Sequence, residues 1–452
     1  MLRKILFACL PLLLLFLLPF NIPLGSFYYT LQGYGTINRF VVVVAPLLTL
    51  VLLFDTFFRS NWLTGSRFRY MALGAGLVTT LLVRLGLYGF ESRDYQEALA
   101  LWYETIKANG GFKALSIRNF SDYNSSYLYI MAILSYLPVP ALYAIKTVSV
   151  LFDYVAALAV YKLVKIPFRN GPVPVFAAFA FLMAPTVLFN GSLWAQCDVI
   201  YTSFLLWGVY AVVKKQNRVL ALVLFSVSLM FKLQAVFIIL LLVLLYTSKK
   251  INLWQILFVP AGIWLFTALP HFLLGRSLPD LLLIYARQVV RYPQLSLNAP
   301  TVYQLVPGAP FEIFYPTGIL AAAGCCLFFL LLFIKYPPRL QPESILQVTL
   351  ISVMLLPWLL PKMHERYFFP ADAFAIVYAF YRPNRWFVAV GMNLISLFSY
   401  LPYLFGQTPV PFAWLAAGLG ALAGVVLYDF FSSLRKETVS DNYIDISRYA
   451  GK

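Results

Sequence analysis

Runs of about twenty apolar residues recur along the whole 452-residue chain, and they limit what it can fold into. Of all residues 62% are hydrophobic and 11% are charged, which a soluble domain of this length could not carry without aggregating. Lipid offers no hydrogen bonds to open backbone groups, and the ten-residue alternating pattern of barrel strands is absent from the sequence. The sequence therefore predicts an all-α, polytopic integral membrane protein.

The apolar runs predict about 12–14 transmembrane helices. The segment 219–247 is interrupted by Lys232 and Gln234, so it is either one long helix or a hairpin of two short ones. The candidate spans are residues 5–20, 38–58, 69–90, 139–163, 172–190, 198–213, 219–231, 235–247, 253–274, 313–334, 345–360, 368–381, 386–404 and 412–432.

The formal net charge of +17 does not indicate nucleic-acid binding, because the basic residues lie singly or in pairs between apolar runs. With the N-terminus in the cytoplasm, 21 of the 34 basic residues fall on the cytoplasmic side, as the positive-inside bias expects. This orientation requires the hairpin at 219–247. It predicts a plasma (inner) membrane protein with both termini cytoplasmic and two long loops, 91–138 and 275–312, on the periplasmic or extracellular side.

The predicted organisation has three parts. Residues 1–68 form N-terminal transmembrane helices, of which the first is expected to be a retained anchor, since no cleavage site follows it. Residues 69–381 form the core with both long loops, and 382–452 form C-terminal helices and a cytoplasmic tail. In the first outer loop, the apolar stretch from Tyr127 to Leu137 is too short to span and predicts an interfacial helix.

Acidic residues are scarce, and three of them, Glu91, Asp94 and Glu97, lie together where an apolar run ends in the stretch GFESRDY. An ionisable residue at such a boundary is costly to hold, which favours a functional role. The alternative is a purely structural role, in which this stretch is a solvated helix end and Arg93 balances the charge of a neighbouring acid.

Further polar motifs follow in the regions assigned to the outer side. Along the chain these are Trp102 and Gly110-Gly111-Phe112, Asp122-Tyr123-Asn124, Tyr127-Leu128-Tyr129, Ser192-Leu193-Trp194-Ala195-Gln196-Cys197-Asp198, Phe231-Lys232-Leu233-Gln234, Leu297-Asn298-Ala299-Pro300 and Pro361-Lys362-Met363-His364-Glu365-Arg366-Tyr367.

In the order and side of these motifs, roughly residues 70–380 resemble the GT-C superfamily of polytopic glycosyltransferases, in particular the bacterial branch related to the second mannosyltransferase of GPI-anchor assembly. The resemblance implies a GT-C fold, an acidic motif that opens the first large outer loop, and an inverting transfer from a polyprenyl-phosphate monosaccharide. The implied acceptor is a lipid-linked glycan, a cell-envelope glycan or a protein. Mannose is suggested only by the name of the branch.

Such a transfer needs a carboxylate that deprotonates the acceptor hydroxyl and cations that stabilise the departing phosphate, without a required cofactor. Asp94 is the candidate base, and we expect Phe90 and Tyr95 to withdraw it from water and raise its pKa. Glu91 and Glu97 are the fallback candidates. A divalent cation held by Glu91, Asp94 and Asp198 is an alternative that is not favoured.

The candidate donors to the phosphate are Lys232, Arg287, Arg291, His364 and Arg366. Lys232 is otherwise explained by snorkelling to the interface, and the two arginines 287 and 291 by contact with lipid headgroups. For His364, the neighbouring cations predict a low pKa and a neutral ring, and a structural polar network is an equal alternative.

Sugar or acceptor contacts are assigned to aromatic and polar side chains, although interfacial belts also enrich aromatics. Asp198 would instead position Lys232 or cap the next helix. These candidates are Trp102, Tyr127, Trp194, Gln196, Asp198, Gln234, Asn298 and Glu365.

Three charged residues within spans are expected to be structural. Lys146 and Asp153 share one face of a span and predict a buried pair, while Arg84 is expected to reach the acidic loop. His271 is expected to be a satisfied core residue.

Two other functions remain open from the residues. A glycan polymerase or ligase would rely on outer-loop arginines without an acid after a span. A flippase or transporter would show inverted repeats and broken helices at mid-membrane, for which the sequence gives no sign.

Overall fold

In the computed structural model, the described residues are 66–214, 216–290 and 293–449, so the predicted spans 5–20 and 38–58 lie outside them. The described chain is helical apart from loops and two short strands. The helices are α1 (Ser66–Gly86), α2 (Ala100–Ala108), α3 (Ser125–Leu134), α4 (Ala141–Val164), α5 (Val173–Leu182), α6 (Pro185–Val187), α7 (Asp198–Val213), α8 (Arg218–Phe231), α9 (Ile239–Thr247), α10 (Leu253–Leu273), α11 (Leu278–Leu282), α12 (Ile284–Val290), α13 (Phe311–Lys335), α14 (Pro342–Leu359), α15 (Phe369–Tyr381), α16 (Trp386–Phe405) and α17 (Phe412–Tyr449).

Shorter elements connect or extend these helices. Two π-helical turns lie before α2 and after α6, and 3-10 turns join several other helices. The π-helical turns are Tyr95–Leu99 and Leu188–Leu193; the 3-10 turns are Gly111–Ser116, Leu233–Ile238, Val302–Leu305, Glu365–Phe368 and Pro383–Arg385; the strands are β1 (Ser296–Leu297) and β2 (Met363–His364).

Among the described residues, six helices are long and apolar enough to cross a membrane, and up to seven if the bent pair α5 and α6 is one span. This pair bends by 46° at Pro185, where proline cannot continue the hydrogen-bond ladder of the preceding helix. The all-helical chain is therefore compatible with a multi-pass membrane protein, which agrees with the predicted fold class at that level. The six spans are Ala141–Val164, Leu253–Leu273, Phe311–Lys335, Pro342–Leu359, Pro383–Phe405 and Phe412–Glu437.

The spans differ in how much of their surface packs against protein. In α14, 72% of the apolar stretch that could span a membrane is buried inside the protein, whereas in α10 only 11% of this stretch is buried. A helix that is apolar on all sides and mostly unburied suits the lipid boundary, and one that is buried on all sides suits the centre. α10 therefore lies at the periphery of the helix assembly, and α14 packs inside it against α15 and α17.

The interrupted segment around Lys232 reverses the chain. α8 ends at Phe231, Lys232 is extended (φ −147°, ψ 139°), and the 3-10 turn Leu233–Ile238 leads into α9. Leu222 and Leu242, equally far along the chain from Lys232, line the same small cavity. The two limbs therefore run antiparallel, as the predicted hairpin requires.

The two long loops meet at one end of the helices. Asn124 of the first loop donates to the Tyr285 hydroxyl of the second (2.9 Å). The segment after α14 joins them, since Lys362 donates its backbone N–H to the carbonyl of Leu295 (2.8 Å) and β1 pairs with β2 in parallel. At the opposite ends of α4 and α7, Lys162 lies in the last turn of α4 and Lys214 follows α7. In these two helices the loop-rich end is therefore opposite to an end with basic residues.

Two expected contacts inside the helix assembly are wrong. Asp153 pairs with Arg84, whose Nε lies 2.8 Å from its Oδ2, so Arg84 does not reach the acidic loop. Lys146 instead donates to three carbonyl oxygens between Leu87 and Phe90, at 2.6–3.2 Å. The carbonyls at the end of a helix have no partners within it, so a lysine from a neighbouring helix satisfies them better than an acid two turns away on its own helix.

Candidate functional site

A cavity of about 830 Å³ opens where the two long loops meet the ends of the helices. Its wall is built from distant parts of the chain: the start of the first loop, Asp122 and Tyr123 farther along it, the turn at Gln196, the turn at Lys232, the β1 region, α13, the segment between α14 and α15, and the end of α16. Charged and apolar side chains both line it. The apolar part of the lining includes Phe231, Leu233, Val236, Phe237, Ile319 and Leu360.

Asp94 lies in the wall of this cavity, just before the π-helical turn that leads into α2. Its Oδ2 accepts hydrogen bonds from Trp194 Nε1 (3.0 Å) and Gln196 Nε2 (2.6 Å). Its Oδ1 accepts one from the Tyr403 hydroxyl (2.6 Å). Tyr403 was missed by the sequence analysis, because it stands at the end of an apolar span far along the chain with no motif around it.

The turn that carries Trp194 and Gln196 is held from both sides. Ala195 between them has a left-handed φ of 67°, which points its two neighbours toward the same carboxylate. Ser92 donates to the Trp194 carbonyl, and Ser149 donates to the Gln196 carbonyl, each at 2.7 Å. A strained turn that its surroundings fix in this way is typical of a functional site.

The pKa of Asp94 is lowered, so the prediction that Phe90 and Tyr95 raise it is wrong. Burial does push the pKa of Asp94 upward, but the charge of Arg366 and the hydrogen bonds from Tyr403 and Trp194 outweigh it. Arg366 Nη1 lies 3.6 Å from Asp94 Oδ2. Asp94 is therefore an ionised acceptor at neutral pH.

Arg366 joins two carboxylates. Besides Asp94, its Nη1 contacts Glu365 Oε1 at 2.9 Å, and its guanidinium lies over the Trp194 ring, 5.4 Å from the centroid. These charges raise the pKa of Arg366 well above its usual value even though burial opposes the rise. Its Nε is buried and has no hydrogen-bond partner among the described residues.

The pKa values of Glu365 and His364 are shifted in opposite directions. Burial raises the pKa of Glu365 to about 7, although Arg366 opposes the rise. Burial and the charge of Arg366 lower the pKa of His364 to about 3. His364 is therefore neutral, as expected from its neighbouring cations.

We expect Glu365 to make stability depend on pH. Its folded-state pKa of about 7 exceeds the ordinary 4.5, so the folded state holds the proton longer and this contribution to stability is lost as pH rises from about 4.5 through 7. The slope is at most about 1.4 kcal/mol per pH unit. Chemical unfolding in detergent, followed by tryptophan fluorescence, should show wild type losing stability over this window relative to Glu365→Gln.

For His364 we expect stability to change with pH in the opposite direction. Its lowered pKa means that stability rises with pH between about 3 and 6.5, so the difference between wild type and His364→Gln should have the opposite sign there. Parallel pH profiles of wild type and Glu365→Gln would contradict the raised pKa of Glu365.

Lys232 forms a buried ion pair at the tip of the hairpin. Its Nζ lies 2.6 Å from Asp198 Oδ1, and Asn190 donates to Asp198 Oδ2 at 2.9 Å. The Lys232 side chain is 7% exposed and lies over the Tyr123 ring, so it does not snorkel. Asp198 positions Lys232, which was one of the expected roles, and both of its oxygens are engaged behind the cavity wall.

Most of the predicted site residues line the cavity, although they come from distant parts of the chain. Glu97 is at an exposed edge, paired with Arg93 at 2.7 Å. Those in the wall are Asp94, Glu97, Trp102, Gln196, Lys232, Gln234, Asn298, His364, Glu365 and Arg366.

The remaining candidates lie elsewhere. Glu91 is exposed and accepts from Gln96, and Arg287 donates to Asn119 at 2.7 Å and contacts Asp280, so the structure brings neither to the cavity. Both extend into solvent, where nearby polar groups are their partners. Tyr127, Trp194 and Asp198 are buried behind the wall, and Arg291 lies outside the described residues.

The wall also contains groups that the sequence analysis did not assign to the site. Lys362, with a left-handed φ of 63°, extends over the rings of Phe311 and Tyr315, 5.3 and 4.9 Å from their centroids. Asp122 and Tyr123 line the cavity as well. A local signal existed for Lys362, since it belongs to the same motif as His364 to Arg366.

This arrangement combines an ionised carboxylate, fixed cations and an apolar wall, and can bind an amphiphile with an anionic head next to a hydroxyl-bearing molecule. In the part of the chain that the structure describes, no three His, Cys, Asp or Glu side chains gather as a metal site would need. Comparison of the chain with models of protein families and with curated proteins gave no match.

Proposed function

We propose that the protein is a membrane glycosyltransferase of the GT-C type that moves a monosaccharide from a polyprenyl-phosphate donor to a glycan, lipid-linked or protein acceptor. Its site would face the periplasmic or extracellular side. The observation that carries the proposal is the carboxylate of Asp94 in a cavity that it shares with Lys232 and Arg366 and with an apolar wall.

The charged part of the lining suits the phosphate of the donor. Lys232 and Arg366 are each anchored by a carboxylate, Asp198 and Glu365, so they stay in place when the phosphate leaves. Fixed cations aimed at the site of developing charge need no reorganisation during the reaction.

The apolar part of the lining suits the lipid of the donor. Phe231, Leu233 and Val236 come from the hairpin, and Ile319 comes from α13. Only 22% of the apolar stretch of α13 is buried inside the protein. A prenyl chain leaving the cavity here passes directly to the lipid boundary. A soluble nucleotide sugar would have no use for this wall.

In the proposed reaction, the acceptor hydroxyl oxygen attacks the anomeric carbon of the donor sugar. The bond from that carbon to the phosphate oxygen breaks with its electron pair, and polyprenyl phosphate leaves. Asp94 accepts the hydroxyl proton and releases it to solvent. Because its pKa is low, Asp94 takes the proton late, when the attacking oxygen has become strongly acidic.

The proposal is tested with the purified protein in proteoliposomes. Radiolabelled polyprenyl-phosphate sugars, including mannose and glucose donors, are supplied singly, and nucleotide sugars serve as the comparison. We expect transfer or slow hydrolysis with a polyprenyl-phosphate donor and none with nucleotide sugars. Absence of both turnover and binding of every lipid donor would overturn the proposal in favour of a transporter.

We expect Tyr403→Phe to slow transfer about tenfold and to move the acid limb of the pH–rate profile to higher pH. The hydroxyl of Tyr403 helps keep Asp94 ionised, so its loss raises the pKa of Asp94. The measurement is kcat/KM against pH. Tyr400→Phe is the matched control, since the Tyr400 hydroxyl is buried without a hydrogen-bond partner among the described residues while its ring also packs on Trp194.

A further inference from the structure

A second polar cluster lies away from the cavity, at the end of α10. This helix lies at the periphery of the helix assembly, and near its end Leu269 and Phe272 are 44% and 50% exposed. His271 between them is fully buried. Gly275, with a left-handed φ of 97°, then turns the chain so that Arg276 folds back and donates its backbone N–H to the His271 carbonyl (3.0 Å).

The hydrogen bonds of His271 define its tautomer. Tyr129 donates its hydroxyl proton to the carbonyl of Thr267 (2.7 Å), so it can only accept from His271 Nδ1, which lies 2.7 Å away. A neutral ring protonated on Nδ1 leaves Nε2 as an acceptor. This Nε2 is buried and has no donor among the described residues, so the expected satisfied core histidine is satisfied on one side only.

Arg276, in contrast, has hydrogen-bond donors that lack acceptors. Its side chain is 2% exposed, and within the described residues its Nε and Nη2 are buried without any acceptor. Arg276 is also close to Tyr129, the partner of His271. Burial raises the pKa of Tyr129 to about 12, and the charge of Arg276 opposes that rise. Burying these two nitrogens without hydrogen bonds is costly unless a ligand supplies acceptors.

The nearby carboxylate of Asp280 acts electrostatically on Arg276 and is also contacted by two other arginines. Asp280 lies 3.6 Å from Arg118 Nε and 3.4 Å from Arg287 Nη1, and its backbone carbonyl also accepts from Arg287. These arginines are 66% and 42% exposed, so they form the outer edge of the cluster while Arg276 lies inside. Three guanidinium groups with one carboxylate leave an excess of positive charge, which favours an anion.

The surroundings of the cluster are apolar and exposed. Leu273, Leu278, Leu282 and Leu283 are 43–73% exposed around the turn between α10 and α12. Free phosphate would gain nothing from these side chains, whereas acyl chains would cover them.

We propose that Arg276 and His271 bind the headgroup of a phospholipid, with its phosphodiester accepting from Arg276 and a hydroxyl or ammonium next to the phosphate donating to His271 Nε2. The acyl chains lie along the exposed apolar end of α10. Phosphatidylglycerol, with both a phosphate and hydroxyls, has this chemistry, and phosphatidylcholine lacks the donor. The inference is independent of the proposed glycosyl transfer, because neither residue lines the cavity.

The test uses the full chain, purified in detergent and delipidated. Binding of phosphatidylglycerol, phosphatidylcholine and inorganic phosphate is measured by native mass spectrometry and by the shift of the thermal unfolding midpoint. Arg276→Gln is compared with Arg118→Gln, a control that removes the same charge from the exposed edge. Arg276→Lys, which keeps the charge but loses the fork of donors, serves if the glutamine variant does not fold.

We expect phosphatidylglycerol to bind wild type and Arg118→Gln similarly, to bind Arg276→Gln at least tenfold more weakly, and to bind Arg276→Lys with intermediate affinity. Phosphatidylcholine should bind wild type at least tenfold more weakly than phosphatidylglycerol. Equal stabilisation by inorganic phosphate would overturn the lipid assignment, and equal binding by both lipids would overturn the role of His271. Unchanged binding by the Arg276 variants would overturn the site.

Discussion

Replacing Asp94 with asparagine should lower the rate of sugar transfer in proteoliposomes by about 10²–10⁴, the usual contribution of a general base. The asparagine keeps the size of the side chain but cannot take the proton. It also presents an amide NH₂ in an environment where Trp194, Gln196 and Tyr403 all donate, so some local rearrangement adds to the loss. The measurement is radiolabelled transfer at saturating donor, with bound donor measured separately.

The matched control is Glu91→Gln, which removes an exposed carboxylate from the same stretch of loop outside the cavity. It should leave transfer within about twofold of wild type. Activity that survives in Asp94→Asn would favour the arginine-centred polymerase or ligase. If Glu91→Gln were the inactive variant, the assignment of the base within GFESRDY would have to be revised.

Replacing Asp198 with asparagine should destabilise the protein by about 3–5 kcal/mol, because it leaves the ammonium of Lys232 buried without a counter-charge. Transfer should be lost as well, since Lys232 is no longer held at the cavity. The free energy of unfolding is measured by chemical denaturation in detergent micelles.

The double variant Asp198→Asn with Lys232→Met should recover much of this stability, since it removes both charges together. Its transfer activity should stay low, which separates the role of Lys232 in the site from its role in folding. As a second control, breaking the exposed pair Arg93 and Glu97 should change stability far less than Asp198→Asn does. A cost for Asp198→Asn no larger than that of breaking this exposed pair would show that Lys232 is not isolated from water.

The helices were predictable because apolar runs, interrupted by proline, asparagine and charge, set their ends locally. The predicted span 253–274 agrees with Leu253–Leu273, which begins at a capping box formed by Asn252 and Gln255. The hairpin at Lys232 followed from the distribution of basic residues. The predicted span 412–432 lies within α17, which continues to Tyr449 through polar residues that also favour a helix.

The sequence predicted at which end of the helices the site residues lie, but not which side chains they contact. The positions of Asp94, Lys232 and Arg366 relative to the apolar runs placed them at one end of the helices. The pKa of Asp94 depends on Tyr403 and Trp194, which are remote in sequence, so flanking residues predicted the wrong direction. Partner choice failed in the same way for Lys146, where the open carbonyls of another helix decided the contact.

The ion pair of Asp198 and Lys232 also bears on how the chain enters a membrane during synthesis. Carrying a lone ammonium across hydrocarbon costs several kcal/mol, and the cost falls when its counter-charge travels with it. α7 and α8 are consecutive, antiparallel and extensively packed, and their acid and lysine meet at the same end. The pair can therefore cross as one neutral hairpin, before any helix that is translated later has emerged from the ribosome.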